Sequence, residues 1–332
     1  MSSAAQRPEP SKPTAASPRS APVFDYEMEG DWNLLWTCNY RCPYCFVPPE
    51  KLGSKIRTSA SAEQWGAAFD ATGKRWLIHM TGGEPTIYPD FPKLCETLTK
   101  RHLISLNSNL SRPAARTLAG RVDPRRVSFI NAGLQPGERV RRKGFADFAS
   151  NARFLKDAGF RVFVTVVATP IVIANLPALA ASCARHSLHI APKILRFPYG
   201  GKSYPWAYTR EQKNRLREYI VRAREHYTRA YEGWPRPSID VLSDDELLDG
   251  LPNFRGRNCS AGERFVQISH DGEVHRCDPV RSSLGNLLQG TVRFADAAAP
   301  CDTSYCVYFC KKYAAPVQAA RSAREPAPAI AF

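Results

Sequence analysis

No part of the 332-residue chain stays apolar long enough to span a bilayer, although residues 162–184 come near it. That stretch is broken by Pro170, Asn175 and Pro177, and its first part is rich in β-branched residues. A buried strand followed by a helix explains it better than a span of ~20 unbroken apolar residues. The Met1 end lacks a basic segment followed by an apolar run and a cleavage site, so secretion is not expected. Ten cysteines are too few to staple a chain of this size as a disulfide scaffold. Acidic groups are also scarce, 31 Asp+Glu against 46 Lys+Arg, for a formal net charge of +15. Such a surface favours anions and says nothing about fold. Nucleic-acid readers interleave aromatic platforms with charge or present a groove-binding helix, and neither is found. The expectation is therefore a cytoplasmic protein with no membrane and no nucleic-acid partner. The densest basic run, Arg139, Arg141, Arg142 and Lys143, reads either as a solvated helix face or as a site for an anionic substrate.

What is present suffices for a sizeable core: 43% of residues are apolar and 23% charged, the balance of a globular chain. Pro- and Ala-rich tails, expected to be disordered, bracket it at 1–25 and 314–332, leaving 26–235 and a smaller, cysteine-bearing 236–313. Apolar runs predict strands at 32–37, 76–81, 103–107, 127–131, 162–168 and 192–197. Helices fall between them. Ser61-Ala-Glu-Gln64 and Thr209-Arg-Glu-Gln212 are capping boxes, Asn175 is an N-cap, and Gly73, Gly120 and Gly159 are stops, with a left-handed cap expected at Gly120. Strands alternating with helices predict an α/β fold, a partial (β/α)6 TIM-like barrel with right-handed crossovers. Chemistry then collects at the carboxyl ends of the strands.

The loop after the first strand is Cys38-Asn-Tyr-Arg-Cys42-Pro-Tyr-Cys45. Three closely spaced cysteines in a chain expected to be cytoplasmic suggest a metal site. Zinc would need a fourth ligand, and no His follows at finger spacing. A 4Fe–4S cluster on three cysteines keeps one iron open, which is chemically useful.

The C-x3-C-x2-C spacing, with Tyr44 before its third cysteine, resembles the signature of the radical SAM superfamily. The resemblance implies a cluster on Cys38, Cys42 and Cys45 that binds and cleaves S-adenosylmethionine, giving methionine and a 5′-deoxyadenosyl radical. It also implies a glycine-rich loop after the second strand. That loop reads Gly82-Gly83-Glu84-Pro85, where glycine would let backbone approach the ligand and Glu84 would accept from the methionine ammonium. Ser108 and Asn109 end the third strand, where the ribose is expected. For the SAM carboxylate the candidates are Asn131 and Arg153, the latter reading equally as a solvated helix charge.

In the C-terminal part, Cys259 and Cys277 flank Gly272, and Cys301, Cys306 and Cys310 follow. A β-hairpin turning at His270-Asp271-Gly272 lies between the first two. The arrangement is similar to the SPASM/twitch extension of radical SAM enzymes, which implies an auxiliary 4Fe–4S cluster on Cys259, Cys277, Cys306 and Cys310. A full SPASM domain carries about seven cysteines and two auxiliary clusters, whereas this part has five. Cys301 is left as a structural thiol, an exchanged ligand or a hydrogen-atom donor, and a zinc ribbon is the rival for the whole module.

The resemblance spans 31–311 and fixes the initiating chemistry. The substrate is expected to be a polar, anionic small molecule, dehydrogenated or epimerised, because the segment 193–206 carries Lys193, Arg196, Lys202 and several aromatics to the barrel mouth. A flavodoxin or ferredoxin is the expected electron donor. The alternative is a maturase of a ribosomally made peptide with a separate recognition partner. Peptide-modifying members often carry a winged-helix module before the barrel, and here a Pro-rich segment stands there.

Overall fold

The computed structural model describes residues 24–304 and 306, apart from 54, 56–59, 236–241, 243 and 252. The expected terminal tails lie outside these residues, but for Phe24 and Asp25. Six strands, β1 (Met28–Leu35), β2 (Trp76–Gly82), β3 (Leu103–Ser108), β4 (Val127–Gly133), β5 (Val162–Val167) and β6 (Ile190–Lys193), run parallel and in sequence order. The helices α1 (Pro49–Leu52), α2 (Ala62–Ala71), α3 (Phe91–Thr99), α4 (Ala114–Ala119), α5 (Pro136–Arg142), α6 (Phe145–Asp157), α7 (Pro170–Ala174), α8 (Leu176–Ala184) and α9 (Arg210–Ala230) fill the crossovers and follow β6. This is the partial (β/α)6 barrel expected of the alternation. No helix among the described residues is long and apolar enough to cross a membrane.

Alternation along β1 explains both its position and its length. Trp32 packs on Trp65 and Phe69 of α2, with ring centroids 4.4 and 5.5 Å apart, and Phe69 meets Trp76 at 5.3 Å. Each such pair adds about 0.5–1.5 kcal/mol beyond simple burial. The intervening Glu29, Asp31 and Asn33 point to the other face, the barrel interior. These polar residues hid the start of the strand, which begins at Met28 rather than Trp32. Glu29 is fully buried, and its Oε1 lies 2.7 Å from His79 Nε2, while His79 Nδ1 lies 2.5 Å from Ser105 Oγ. A hydrogen-bonded rung thus crosses β1, β2 and β3 inside the barrel.

Both capping boxes form as expected, at Ser61 and Thr209. Two local expectations need correction. Gly120 ends α4 in a right-handed conformation, φ −84°, so no left-handed cap is built there. Asn175 does not cap α8 with its side chain; its Nδ2 donates to the Ile171 carbonyl at 2.8 Å and closes α7.

The C-terminal part joins the barrel directly. After the small hairpin β7 (Pro198–Tyr199) and β8 (Lys202–Ser203) come β9 (Asn258–Cys259), β10 (Phe265–Ile268), β11 (Glu273–His275), β12 (Ser283–Asn286) and β13 (Ala299–Pro300). Strand β10 pairs with β1 in parallel, and β11 and β12 continue antiparallel from it, so one nine-stranded sheet runs through both parts. The β10–β11 turn sits at Gly272, φ +88°, where a Cβ would press on Asn286 Oδ1.

Candidate functional site

The cysteine loop leaves the carboxyl end of β1 and is folded back on itself. Arg41 donates to the carbonyls of Cys38 and Tyr40 at 2.6 and 2.8 Å, and the Cys45 N–H donates to Cys42 O at 3.0 Å. Each of the three sulfurs has a nearby donor. The Tyr40 N–H reaches Cys38 Sγ at 3.3 Å, the Tyr44 hydroxyl bonds Cys42, and the Val47 N–H bonds Cys45. Burial raises all three thiols, Cys38 to about 11 and Cys42 to about 12, so ligation must release their protons. Among the described residues no three His, Cys, Asp or Glu side chains converge closely enough to hold a metal ion. A 4Fe–4S core spreads its ligands wider than a single ion does. Three half-buried cysteines on one loop, each with a donor aimed at its sulfur, fit that core, because such donors steady thiolate charge and tune potential.

The glycine-rich loop packs against this one. Gly83 N donates to Leu35 O at 2.7 Å and Glu84 N to Thr37 O at 2.9 Å. Gly82 takes φ +129°, and a Cβ on Gly83 would run into the Thr37 carbonyl. The glycines are therefore required for close approach to the first loop, not only to a ligand. Glu84, the expected ammonium acceptor, also holds protein donors. It is 1% exposed, and its Oε1 accepts from Thr86 Oγ1 at 2.5 Å and Ser108 Oγ at 2.7 Å, its Oε2 from Asn109 N at 2.7 Å. The carboxylate ties the ends of β2 and β3 together, and Pro85 opens the buried 3-10 turn that follows it. Asn109 Nδ2 in turn donates to Asn39 Oδ1 of the cysteine loop at 3.0 Å.

Asn131 sits in a rung that crosses the strand ends. Its Nδ2 donates to Asn107 Oδ1 at 3.0 Å, and Thr165 Oγ1 donates to its Oδ1 at 2.7 Å. Arg153 is exposed on the outer helix α6, beside Lys156, and the structure does not bring it into this network. Sequence reasoning missed one residue here and left the role of another open. Asp31 faces the interior, where burial, with Asp278 and Glu29, raises its carboxyl to about 7. Arg139 is 3% exposed and not part of a solvated basic face: it bonds the Tyr40 hydroxyl and the Asn109, Gly133 and Leu134 carbonyls. Its neighbours Arg141 and Arg142 pair with Glu138, and Arg142 also bonds the Asn39 carbonyl. The basic run buttresses the cysteine loop.

At the barrel mouth two of the three expected anion-binding cations are already paired. Lys193 and Arg196 lie 2.6 and 3.0 Å from Asp244 Oδ1. Burial opposes ionisation of Asp244, but these two cations and the Ile194 N–H outweigh it and hold the carboxyl below its ordinary range. Phe46 of the cysteine loop, 38% exposed, stacks on Phe197 at 6.2 Å beside them.

Of the C-terminal cysteines, Cys259, Cys277 and Cys301 are buried in one group with Phe254, Ala261 and Phe265, and Cys306 packs on it. Cys306 is disulfide-bonded in this structure, a form in which it ligates nothing, and Cys310 lies outside the described residues.

Residues 33–175 match the family profile described as the Radical SAM superfamily. Mycofactocin maturase MftC of Mycobacterium tuberculosis is 26% identical, over 80% of this chain and 68% of its own length. The PqqA peptide cyclase of Granulibacter bethesdensis is 26% identical, over 76% of this chain and 68% of its own. Streptococcus suis SuiB, solved with precursor peptide SuiA, shares the fold with a TM-score of 0.50 at 17% identity, over 81% of this chain and 65% of that one. The chain thus spans about two thirds of the length of these proteins. These findings overturn the expected small-molecule dehydrogenase or epimerase and its anionic small-molecule partner, since a relative is named for cyclising a peptide and a fold neighbour holds one. The physical reason is at the mouth, where Asp244 pairs with Lys193 and Arg196, two of the three cations on which that expectation stood. The cysteine loop, the glycine-rich loop and the barrel agree with the match of residues 33–175 to the radical SAM superfamily, whose members hold a 4Fe–4S cluster and S-adenosylmethionine.

Proposed function

We propose that this chain is a maturase that modifies a ribosomally made peptide by radical chemistry. The observation that carries this reading is the likeness, over 80% and 76% of the chain, to a maturase and to a peptide cyclase. When bound, the first cluster and S-adenosylmethionine supply a 5′-deoxyadenosyl radical able to take hydrogen from an unactivated C–H bond. Cys38, Cys42 and Cys45 hold that cluster, with Tyr44 steadying the Cys42 sulfur. Backbone of the Gly82–Gly83 loop, fixed against β1, would hold the methionine end, and Ser108, Asn109 and the Asn107–Asn131 rung at the strand ends would hold the rest of the cofactor. The stacked Phe46 and Phe197 form an apolar lip beside the ion-paired Lys193–Asp244–Arg196 group, a surface suited to an extended peptide. The C-terminal cysteines hold an auxiliary cluster that relays electrons, and a flavodoxin or ferredoxin delivers them to the first.

The test is anaerobic reconstitution followed by assay with short peptides encoded beside the gene. Formation of 5′-deoxyadenosine that rises with one such peptide, together with a change in that peptide's mass, is the expected result. Cofactor cleavage that no peptide alters, with every peptide mass unchanged, would overturn it.

A further inference from the structure

Spacing along the chain leaves open which of Cys259, Cys277, Cys301, Cys306 and Cys310 share a cluster. The fold narrows the choice. Strands β9 and β13 pair antiparallel, with Ala299 opposite Cys259 and Pro300 opposite Asn258, which carries Cys301 alongside the β9 segment. Two backbone bonds fix it there: Cys301 N donates to Arg257 O and Gly256 N to Cys301 O, both at 2.8 Å. Cys277 arrives from β11, held in a turn by its N–H to Val280 O at 3.3 Å. The three thiols are buried together, with Cys301 near enough for its charge to act on Cys259 and Cys277.

One side chain joins these segments. Arg276, immediately before Cys277, donates from Nε to Ala261 O at 3.0 Å, from Nη1 to Pro300 O at 3.2 Å, and from Nη2 to Ala299 O at 2.8 Å and Cys259 O at 3.5 Å. The planar guanidinium therefore spans the segments bearing all three cysteines, which the compact ammonium of a lysine, with its donors on one nitrogen, cannot do. Its charge also stands beside sulfurs that must become thiolates on ligation.

We propose that Cys301 joins Cys259 and Cys277 as the third ligand of the C-terminal cluster, and that Arg276 is the positioning residue that assembles the three. The proposal rests on the auxiliary-cluster reading. It assigns no fourth ligand. It also removes Cys301 from service as a hydrogen-atom donor, since a ligated sulfur carries no hydrogen to give.

The test isolates this site in the full chain by changing Cys38, Cys42 and Cys45 to Ala, then reconstituting with iron and sulfide. This parent should hold ~4 irons per chain. Cys301→Ala should hold less than half of that, and Cys301→Ser, with far-UV dichroism and melting unchanged, should shift the spin-resonance spectrum of the reduced cluster. Arg276→Lys should keep the iron count but release iron to a chelator about tenfold faster, as for lost outer-sphere support of a metal site. A Cys301→Ala protein matching the parent in iron count, spectrum and chelator resistance would overturn the ligand assignment alone. A parent that binds no iron would overturn the auxiliary cluster and the assignment with it.

Discussion

The two cysteine sites of this protein are built in opposite ways. The first takes its three cysteines from one loop of eight residues, so the chain itself brings them together. The second gathers Cys259, Cys277 and Cys301 from separate strands and turns, and needs β-pairing and a guanidinium to hold them. Each site has a buried or half-buried arginine bonded to carbonyls, Arg139 in one and Arg276 in the other, but the two do different work. Arg139 docks a preformed loop onto the barrel, linking Tyr40 to the ends of β3 and β4. Arg276 ties together segments that are distant in sequence, bonding the Ala261, Ala299 and Pro300 carbonyls. A locally encoded site should lose its fit to the cofactor when its arginine is weakened, whereas an assembled site should hold its metal less firmly.

The largest effect expected is at the first loop. Cys42→Ala should abolish cleavage of S-adenosylmethionine and lower the iron count by about four per chain, leaving the C-terminal cluster in place. Iron analysis beside a 5′-deoxyadenosine assay checks both halves. Gly83→Ala comes next, because its Cβ meets the Thr37 carbonyl and must prise the two loops apart. It should cost about 1–3 kcal/mol in stability. Misplacing the cofactor should slow cleavage by about a hundredfold. Normal turnover and melting in that variant would show that the loops are not interlocked.

Those two predictions concern what could be read without a fold. The C-x3-C-x2-C loop, the Gly82-Gly83-Glu84-Pro85 loop and both capping boxes are local in sequence, and each appears where its spacing implies. The inward-facing Glu29, Asp31 and Asn33 of β1 were legible as a polar alternation but were passed over because an apolar run was the sign sought. The role of Glu84 was not legible. Its donors, Ser108 and Asn109, come from the next strand, and a carboxylate near a ligand cannot be told from a carboxylate tying two loops until the fold is known. Arg139 and the Lys193–Asp244–Arg196 group hid for the same reason: charge along the chain was visible, but its partners lie tens of residues away.

Arg139→Lys sharpens the comparison further. It strands carbonyls at Asn109, Gly133 and Leu134, at a cost of about 1–3 kcal/mol. It should weaken binding of S-adenosylmethionine while the iron count stays at the wild-type value. Binding titration and iron analysis on one preparation decide it, and iron loss from the first site would mean that this arginine, too, assembles a metal site.

The smallest effect lies away from both sites and serves as their control. His189 stacks on His226 with ring centroids 4.3 Å apart. Burial, with His226 and Arg222, lowers His189 to about 4, and burial with Lys156 and Arg229 also lowers His226. The fold keeps both rings neutral, whereas the unfolded chain protonates them from about 6.5 downward. Their contribution is therefore complete above about 6.5 and is lost as pH falls toward 4, on the order of 1 kcal/mol. Melting curves at pH 7 and pH 5 should show that loss in the wild type and less of it in His189→Gln, with Arg139→Lys and Arg276→Lys behaving as the wild type does.

The most direct measurement is the iron and acid-labile sulfide content of the reconstituted chain, taken beside that of the Cys38, Cys42 and Cys45→Ala protein. Two independent sites predict ~8 irons in the first and ~4 in the second. A result of ~4 and none would contradict the account, leaving one cluster in the barrel and a C-terminal module without one.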